Sequence, residues 1–468
     1  MNLKKDKFIM RKSSISTLAL ALVTTACSFK PVLDRLTPPV AATFPGAGEG
    51  AVPADIAWQK FFTDPRLKKL VEAALANNRD LRVAVLNVEQ SRAQYGISRS
   101  ELFPSISGTA SSNRQRSLGS GSSAVVTTTS NPYALTAGFS SYELDLFGRV
   151  RSLNDSALEK YFASDEARVG AQISLVAEVA NQYLVERALQ QQVALSQQTL
   201  EGMNAAYGLM KQRFDAGTVS ELDLSSTEVQ RQTAKADLAA FQQRIALINN
   251  SLTFLAGGNL PAGLPPGRSL DQVIVADVKA GVSSDLLRRR PDIREAEHQL
   301  RAANADIGAA RAAFFPSVTL TANSGTASHS FSNLFSNGTG TWLFAPNMNL
   351  PIFTGGRNKA NLDASKIGKN IEIARYERAI QNGFREVADG LAARSGLAEQ
   401  ITATEGLVAA QQKRAELANA RYNQGVDSYF EVLTATLDLY SSRQNLIQLR
   451  LAQAVNSVSL YKALGGGW

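Results

Sequence analysis

The chain has very few of the side chains on which most metal sites and nucleophilic active sites depend. Among 468 residues there is one cysteine, Cys27, and there are two histidines, His298 and His329. A single cysteine excludes an intrachain disulfide and a cysteine-based zinc cluster, and two isolated histidines leave little for histidine-dependent metal or acid–base chemistry. We therefore expect no catalytic residue, no metal and no cofactor.

Long hydrophobic runs are also missing. The longest N-terminal run, residues 16–23, is shorter than the roughly 20 apolar residues that span a bilayer. It follows a basic opening and ends at Ala26-Cys27, so it predicts a signal peptide over 1–26 that starts at Met1 or Met10. The junction resembles a bacterial lipoprotein processing site, which implies lipidation of Cys27 and, because Ser28 follows, the outer membrane. Ordinary secretory cleavage near Ala26 is the alternative.

The positive charge is not evidence of nucleic-acid binding. The formal net charge is +8, but five of the cations precede residue 13 and so fall in the predicted signal peptide. What remains is unremarkable for a chain of this length. We expect no nucleic-acid partner.

Proline is absent from 133–260 and from 352–468, and these windows are rich in helix-forming residues. Each contains 66 residues before a turn, from Arg149 to Phe214 and from Arg357 to Tyr422, which is about 100 Å of helix. Gly217 and Gly425 then predict turns into returning antiparallel helices. The last helix carries a coiled-coil seam with alternating spacings of four and three: Leu433, Leu437, Tyr440, Gln444, Ile447, Leu451, Ala454, Val458 and Tyr461.

The sequence is an internal duplication. Residues 80–110 and 292–322 share 11 of 31 positions at an offset of 212, and a second match lies further on at an offset of 208. A period this long indicates two copies of a large unit. We divide the chain into a signal peptide, a lipidated N-terminal segment with linker, a first repeat, a mid-chain linker and a second repeat: 1–26, 27–66, 67–260, 261–290 and 291–468.

Short segments in each repeat alternate apolar and polar residues with the period of a β-strand. They lie near 105–113 and 133–146 in the first repeat, and near 317–328 and 341–352 in the second. The alternation is typical of membrane barrels, although a soluble hairpin has the same pattern. Loops 114–132 and 332–340, rich in small polar residues, are predicted to be exposed tips.

Four strands cannot close a barrel, because membrane barrels have eight or more and tolerate no open edge in lipid. Two chains would give eight strands with a filled interior, and three would give twelve with room for a passage. The predicted fold class is an α+β membrane protein in which long antiparallel helices accompany four strands per chain.

Other motifs are weaker. Glu143 and Asp145 share one strand face and are interpreted as lining a barrel lumen, not as a catalytic carboxylate pair. Arg288–Arg290, followed by Pro291, predicts an exposed loop that opens a helix. His298 falls within that helix and is assigned a structural role.

Several longer motifs together resemble the outer membrane factors of the TolC and OprM type, in the lipoprotein branch that serves resistance-nodulation-division efflux pumps. They extend from Cys27 to the last residue and include 78–82, 142–149, 289–293, 309–317 and 460–468. The resemblance implies a homotrimer with a 12-stranded barrel in the outer membrane and a 12-helix periplasmic tunnel. It also implies a periplasmic adaptor and an inner-membrane transporter as partners, with drugs and similar small molecules as cargo.

The resemblance further implies a gate at the helix turns, lined by an acidic pair. Glu431 fits the first position of that pair, whereas Thr434 occupies the second. Phe430 flanks Glu431, so closure is predicted to depend on apolar packing as well as charge. Tyr422 and Asp427, with Glu221 and Asp223 in the first repeat, are candidates for links between helices; a solvated helix start is the plainer interpretation of Glu431 and Asp427.

The sequence thus predicts a passive exit duct for small molecules. A protein-secretion duct or a metal-ion duct of the same family remains open. So does a lipoprotein scaffold without a pore.

Overall fold

The structure is a computed structural model that describes residues 29–34, 37, 39–44, 57–120, 125–130, 132–273 and 284–466. The predicted signal peptide and Cys27 lie outside the described residues. The chain divides into two compact units, each made of three segments. Unit 1 comprises 1–37, 87–164 and 295–376, and unit 2 comprises 38–86, 165–294 and 377–468.

Long helices and a small antiparallel sheet make up most of the described chain. The helices are α1 (Trp58–Phe61), α2 (Pro65–Asn77), α3 (Arg79–Ser100), α4 (Arg149–Asp215), α5 (Glu221–Leu255), α6 (Pro291–Ala312), α7 (Arg357–Asn423) and α8 (Tyr429–Ala463). The strands are β1 (Ser107–Ser112), β2 (Gln115–Ser120), β3 (Val125–Ser130), β4 (Tyr133–Leu144), β5 (Ser317–Ser328) and β6 (Gly340–Asn349). No helix within the described ranges has both the length and the apolarity to cross a membrane.

Six of the helices named above fall into three pairs of equal length. α3 and α6 have 22 residues each, α4 and α7 have 67, and α5 and α8 have 35. Their starting residues are separated by the same offsets as the sequence matches, 212 for the first pair and 208 for the other two. Uninterrupted helix of this length fits windows without proline, because proline removes a backbone donor and clashes with the preceding turn.

Unit 1 contains a four-stranded sheet with the order β1-β4-β5-β6. All neighbours are antiparallel, with registers such as Thr109↔Thr136 and Ala322↔Phe344. β1 and β6 form the two edges of the sheet. On β6, the side chains of Trp342, Phe344 and Met348 are exposed on one face, which is the apolar face that the alternation predicts.

The prediction of a loop without secondary structure over 114–132 is wrong, because β2 and β3 form a two-stranded hairpin there. Gln115 pairs with Ser130 and Ser120 with Val125. The segment is rich in Ser, Thr and Gly, so it has little apolar alternation. Backbone hydrogen bonds hold a hairpin of this kind without requiring an apolar face.

Glu143 and Asp145, which the sequence predicts to line a lumen, have partners at the start of α4. Glu143 accepts two hydrogen bonds from the Arg149 guanidinium, at 2.8 and 2.6 Å. Asp145 accepts from the backbone N–H groups of Val150 and Arg151, at 3.1 and 2.9 Å, and so satisfies free donors at the start of α4. Both carboxylates therefore stabilise the junction between β4 and α4.

Unit 2 has a buried carboxylate at the start of α2. Asp64 is fully buried, caps α2 through the Arg66 N–H at 2.7 Å, and accepts from the Tyr183 hydroxyl at 2.7 Å and from the Arg268 N–H at 2.8 Å. Burial and the bond to Asp64 raise the pKa of Tyr183. A segment of the mid-chain linker is thereby attached to α2 and α4.

Arg290 differs from the prediction of an exposed loop over 288–290, whereas Arg288 and Arg289 are exposed as predicted. The Arg290 side chain is 8% exposed. It donates to Asp292 at 2.8 and 3.0 Å, to Glu386 at 2.8 Å and to the Ala463 carbonyl at 2.9 Å. Arg290 therefore ties the start of α6 to both α7 and α8. None of the nine predicted seam residues of α8 is exposed, and Leu433, Ala454, Val458 and Tyr461 are buried.

Candidate functional site

Two glycine turns in unit 2 lie where the sequence predicts the gate. Gly217 and Gly425 have φ angles of +74° and +73°. Each N–H closes a short turn, from Gly217 to the Phe214 carbonyl at 2.8 Å and from Gly425 to the Tyr422 carbonyl at 2.9 Å. A left-handed residue after the last helical turn favours glycine, because other side chains are strained there. The two turns therefore have the same backbone construction.

The helices that leave the two turns are capped differently. In α5, the Ser220 hydroxyl accepts from the Asp223 N–H at 3.1 Å and the Ser220 N–H donates to the Asp223 carboxylate at 3.3 Å, which forms a capping box. The Ser220 hydroxyl also donates to that carboxylate at 2.7 Å. In α8, Ser428 is the N-cap but makes no side-chain capping bond. Glu431 occupies the position of Asp223 in α8 and is exposed. No hydrogen bond or ion pair of the Glu431 carboxylate is present among the described residues.

Each turn also exposes a large apolar side chain. Phe430, which the sequence analysis selected, is 64% exposed. Leu222, which occupies the same place in the first repeat, is 75% exposed and was missed. The offset of 208 maps one residue onto the other and is the signal that could have found it.

One contact joins the two turns within the chain. The Arg213 guanidinium, from the end of α4, donates to the Tyr422 hydroxyl at the end of α7, and it also lies 5.2 Å from the centre of the Tyr422 ring. Tyr422 in turn contacts the Tyr429 ring edge-on, with 5.2 Å between centroids. Tyr422 is thus placed between the two hairpins, whereas its partner Arg213 was not identified from the sequence.

Asp427 makes a different contact from the predicted link between helices. It pairs with Arg421 of its own turn, with 2.9 Å between the Arg421 Nη2 and the Asp427 Oδ1 atoms. This hydrogen bond lowers the pKa of Asp427 below its usual value of 3.8. In the first repeat Arg213 is equivalent to Arg421 and Val219 to Asp427, so the acid that pairs with Arg421 has no counterpart, and Arg213 contacts Tyr422.

The predicted gate residues therefore fall into three groups. Asp223 and Asp427 stabilise their own turns. Glu221, Phe430 and Glu431 are exposed, and Tyr422 connects the hairpins. A surface with free carboxylates beside exposed apolar side chains can attract cations and can also pack against an identical surface.

Paired long helices, a four-stranded sheet with apolar residues exposed on its edge strand, and glycine turns followed by acidic helix starts agree with the class that the sequence predicts, a channel-forming membrane protein. The sequence profile described as Outer membrane efflux protein matches residues 70–258 and 282–466. The chain belongs to this family.

Relatives agree over nearly the whole length. The toluene efflux pump outer membrane protein TtgC of Pseudomonas putida is 47% identical over 467 residues, which cover 98% of this chain and 96% of the relative. The antibiotic efflux pump outer membrane protein ArpC of Pseudomonas putida matches with the same identity and coverage. The solved open state of the Neisseria gonorrhoeae MtrE outer membrane channel has a TM-score of 0.87 and 40% identity, and the match covers 94% of this chain and 98% of that one.

These likenesses confirm the predicted family and the predicted fold class of long helices with a four-stranded sheet. The chain is an outer membrane protein and serves as the outer membrane exit duct of an efflux system.

Proposed function

We propose that three copies of the chain form a passive duct that carries small organic molecules from the periplasm to the exterior. The observation that carries the proposal is the four-stranded sheet whose edges are β1 and β6. In lipid an open edge leaves backbone donors and acceptors without partners, so β6 of one copy must pair with β1 of the next. Three copies give twelve strands, and this number leaves an interior passage.

The cargo we propose is small and largely apolar. The relatives named above export toluene or antibiotics, as their names state, and they align over 98% of this chain. The described residues contain no cluster of three or more side chains suited to holding a metal ion. Because a duct supplies no energy, we propose that an inner-membrane resistance-nodulation-division transporter drives export through a periplasmic adaptor. We propose no catalytic reaction.

The gate we propose is the ring that three copies of both turns would form. Three Glu431 carboxylates around one axis would attract cations, and Phe430 with Leu222 would supply apolar packing in the closed state. The Arg213–Tyr422 contact supports this assignment, because it joins the two hairpins at the turns. Opening requires the hairpins to separate, and this contact would then break.

Lipidation of Cys27 anchors the chain in our proposal, and metabolic labelling with a clickable palmitate tests it. We expect labelling of the native chain and none of the Cys27→Ala variant. Equal labelling of both would contradict the lipoprotein assignment. Because the strands hold the protein in the membrane independently, we expect the variant to retain part of the export activity.

Deletion of the gene tests the cargo class. We expect the deletion strain to become more sensitive to toluene and to several classes of antibiotic, and plasmid-borne native chain to restore resistance. Sensitivity restricted to metal salts would instead favour a metal-ion duct. Loss of a secreted protein with unchanged drug resistance would favour a protein-secretion duct.

A further inference from the structure

A half-open cavity of about 240 Å³ lies in unit 1, where the sheet meets the long helices. Its walls come from the β4–α4, α6–β5 and β6–α7 junctions. Ser317 and Asn349, which line the cavity, pair with each other across β5 and β6 and so lie on the same face of the sheet. The exposed apolar side chains of Trp342, Phe344 and Met348 lie on the opposite face. In the proposed duct the apolar face meets lipid, so Ser317 and Asn349 face the passage.

Four charged side chains line this cavity, and three of them already have partners. Glu143 and Arg149 form a bidentate ion pair, and Asp145 pairs with Arg151 at 3.0 Å. The fourth, Arg357, is exposed. Among the described residues, no hydrogen bond or ion pair holds its guanidinium. Because the paired charges cancel, the cavity keeps one net positive charge.

A comparison of the two repeats shows which group is missing beside Arg357. At the offset of 208, Arg357 corresponds to Arg149, whereas Pro351 stands at the position of Glu143. Asp145 likewise has no acidic counterpart. The first repeat thus places two carboxylates of its own at the start of α4, and the second repeat places none at the equivalent start of α7. A carboxylate from a bound molecule would restore in the second repeat the ion pair that the first repeat makes within the chain.

Much of the remaining wall is apolar, with contributions from Phe147, Phe315, Pro316 and Pro351. Phe315 is 40% exposed, and its ring stacks on that of Phe147 with 5.0 Å between centroids. The cavity is smaller than the roughly 300–1,000 Å³ of pockets that enclose a drug-sized ligand. It therefore fits one charged group together with the ring or short chain that carries this group.

We infer that this cavity binds organic carboxylates with a small apolar body while they pass through the duct. The Arg357 guanidinium binds the carboxylate with two parallel hydrogen bonds, as Arg149 binds Glu143, and the exposed ring of Phe315 contacts the apolar body. A fixed positive charge in a cleft raises the local concentration of anions, which favours their transport. The inference rests on the proposed duct and names one class of its cargo.

Fluorine NMR of the purified protein in lipid nanodiscs tests the site with three small probes. Para-fluorophenylacetate carries both the carboxylate and an aromatic ring, para-fluorophenylacetamide lacks the charge, and trifluoroacetate lacks the ring. The line width of each probe during titration gives its dissociation constant, and nanodiscs without protein give the background. We expect the native protein to bind para-fluorophenylacetate at least tenfold more tightly than either of the other two probes.

Two variants remove the proposed contact in different ways. Arg357→Gln removes the guanidinium, whereas Pro351→Glu keeps it and supplies the carboxylate that Glu143 supplies in the first repeat. Each should weaken the binding of para-fluorophenylacetate at least tenfold. Lys359→Gln is the matched control, because Lys359 is an exposed cation of the same helical turn that does not line the cavity. It should bind the probe as the native chain does. Native mass spectrometry reports whether each variant forms the same assembly as the native chain.

Three results would overturn the inference. Equal affinity of the native protein for the acid and for the amide would show that charge does not matter. Equal affinity for the acid and for trifluoroacetate would show that Arg357 attracts any anion, so that the site does not select organic carboxylates. Undiminished binding of para-fluorophenylacetate by an intact Arg357→Gln or Pro351→Glu assembly would show that the probe binds elsewhere.

Complementation of the deletion strain separates this inference from the proposed duct. The Arg357→Gln chain should restore resistance to toluene, which carries no charge, as well as the Lys359→Gln chain does. It should restore resistance to carboxylate-bearing antibiotics severalfold less than the Lys359→Gln chain does. Equal resistance to both kinds of compound would overturn the role of the cavity in export and leave the duct standing. Failure of the native chain to restore any resistance would overturn both.

Discussion

Helices α3 and α6 are equivalent elements of the two repeats, but their environments differ. α6 is enclosed by its own chain, whereas no residue of α3 is buried. The turns show the same division: Asp223 caps its own helix, whereas the equivalent Glu431 makes no cap. Duplication thus gives the chain two copies of each surface. In these two cases one copy is covered or bonded within the chain, and the other copy stays exposed and available for assembly or function.

The largest effect is expected from a bulky side chain at Gly96. Gly96→Leu should reduce the trimer fraction and export, because no residue of α3 is buried within the chain and α3 leads into β1, the edge strand that the proposed duct pairs with a neighbouring copy. Gly406→Leu is the control, since nothing lies within 4 Å of a Cβ atom added at that exposed helical position either. Native mass spectrometry measures the trimer fraction. A Gly96→Leu trimer as abundant as that of the control would show that α3 stays free.

The second effect concerns two buried groups, Asp64 and Arg290, that lie just before the first and the second repeat. Asp64→Ala should lower the free energy of unfolding by about 3 kcal/mol, because it leaves the buried Tyr183 hydroxyl and the Arg268 N–H without an acceptor. Arg290→Ala should have a smaller effect, because Asp292 and Glu386 are partly exposed and regain water. The midpoint of thermal unfolding in detergent measures both.

Asp438→Asn is the control for that experiment, because it shows how much stability the loss of an exposed ion pair costs. Its ion pair with Arg414 is exposed on both sides, and such pairs contribute at most about 1 kcal/mol. If Asp64→Ala is no more destabilising than Asp438→Asn, the buried carboxylate does not hold the linker as described.

At the turns, Tyr422→Phe should favour the open channel. It removes the hydroxyl that accepts from Arg213 and so weakens the contact between the two hairpins. We expect a severalfold higher open probability in planar bilayers, with an unchanged conductance of the open state. Tyr440→Phe is the matched control, because that hydroxyl contacts Ser196 and Asp237 away from the turns. Equal behaviour of the two variants would place the gate elsewhere.

The effect of removing a carboxylate at the turns on ion selectivity should depend on whether that carboxylate caps its helix. Glu431→Gln should reduce the preference for cations over anions severalfold, because Glu431 has no partner among the described contacts and is exposed. Asp223→Asn should change selectivity little, since the Asp223 carboxylate is held in its capping box. Reversal potentials in a salt gradient measure both. A larger change from Asp223→Asn would reverse the roles assigned to the two repeats.

The smallest effect concerns pH. Because Arg421 lowers the pKa of Asp427, their pair favours the folded turn at any pH above the usual carboxylate value of 3.8 and is lost only as pH falls through the lowered pKa. Conductance should therefore show no change attributable to Asp427 between pH 7.5 and about pH 5. A transition near pH 5 that disappears in Asp427→Asn would contradict this.

Much of the fold could be predicted because its signals are local. The prediction of helix from Arg149 to Phe214 differs by one residue from α4, and the strand predicted near 317–328 coincides with β5. The absence of proline predicts the helix, and the alternation of apolar and polar residues with period two predicts the strand. The β2–β3 hairpin was not predicted, because its strands lack that alternation and are held by backbone pairing.

The site was less predictable, because its contacts depend on residues far apart in the sequence. Arg213 contacts Tyr422, whereas the equivalent Arg421 pairs with Asp427, and this difference is visible only when the two turns are compared. Likewise, three adjacent arginines predict an exposed loop, whereas Arg290 is buried among partners contributed by α6, α7 and α8.

Single-channel recording in planar bilayers tests the central claim most directly. The purified native chain should give discrete, cation-selective current steps, and Tyr422→Phe should give the same steps more often. A trimeric protein that carries no current, in the native form and in Tyr422→Phe alike, would contradict the account and favour a scaffold without a pore.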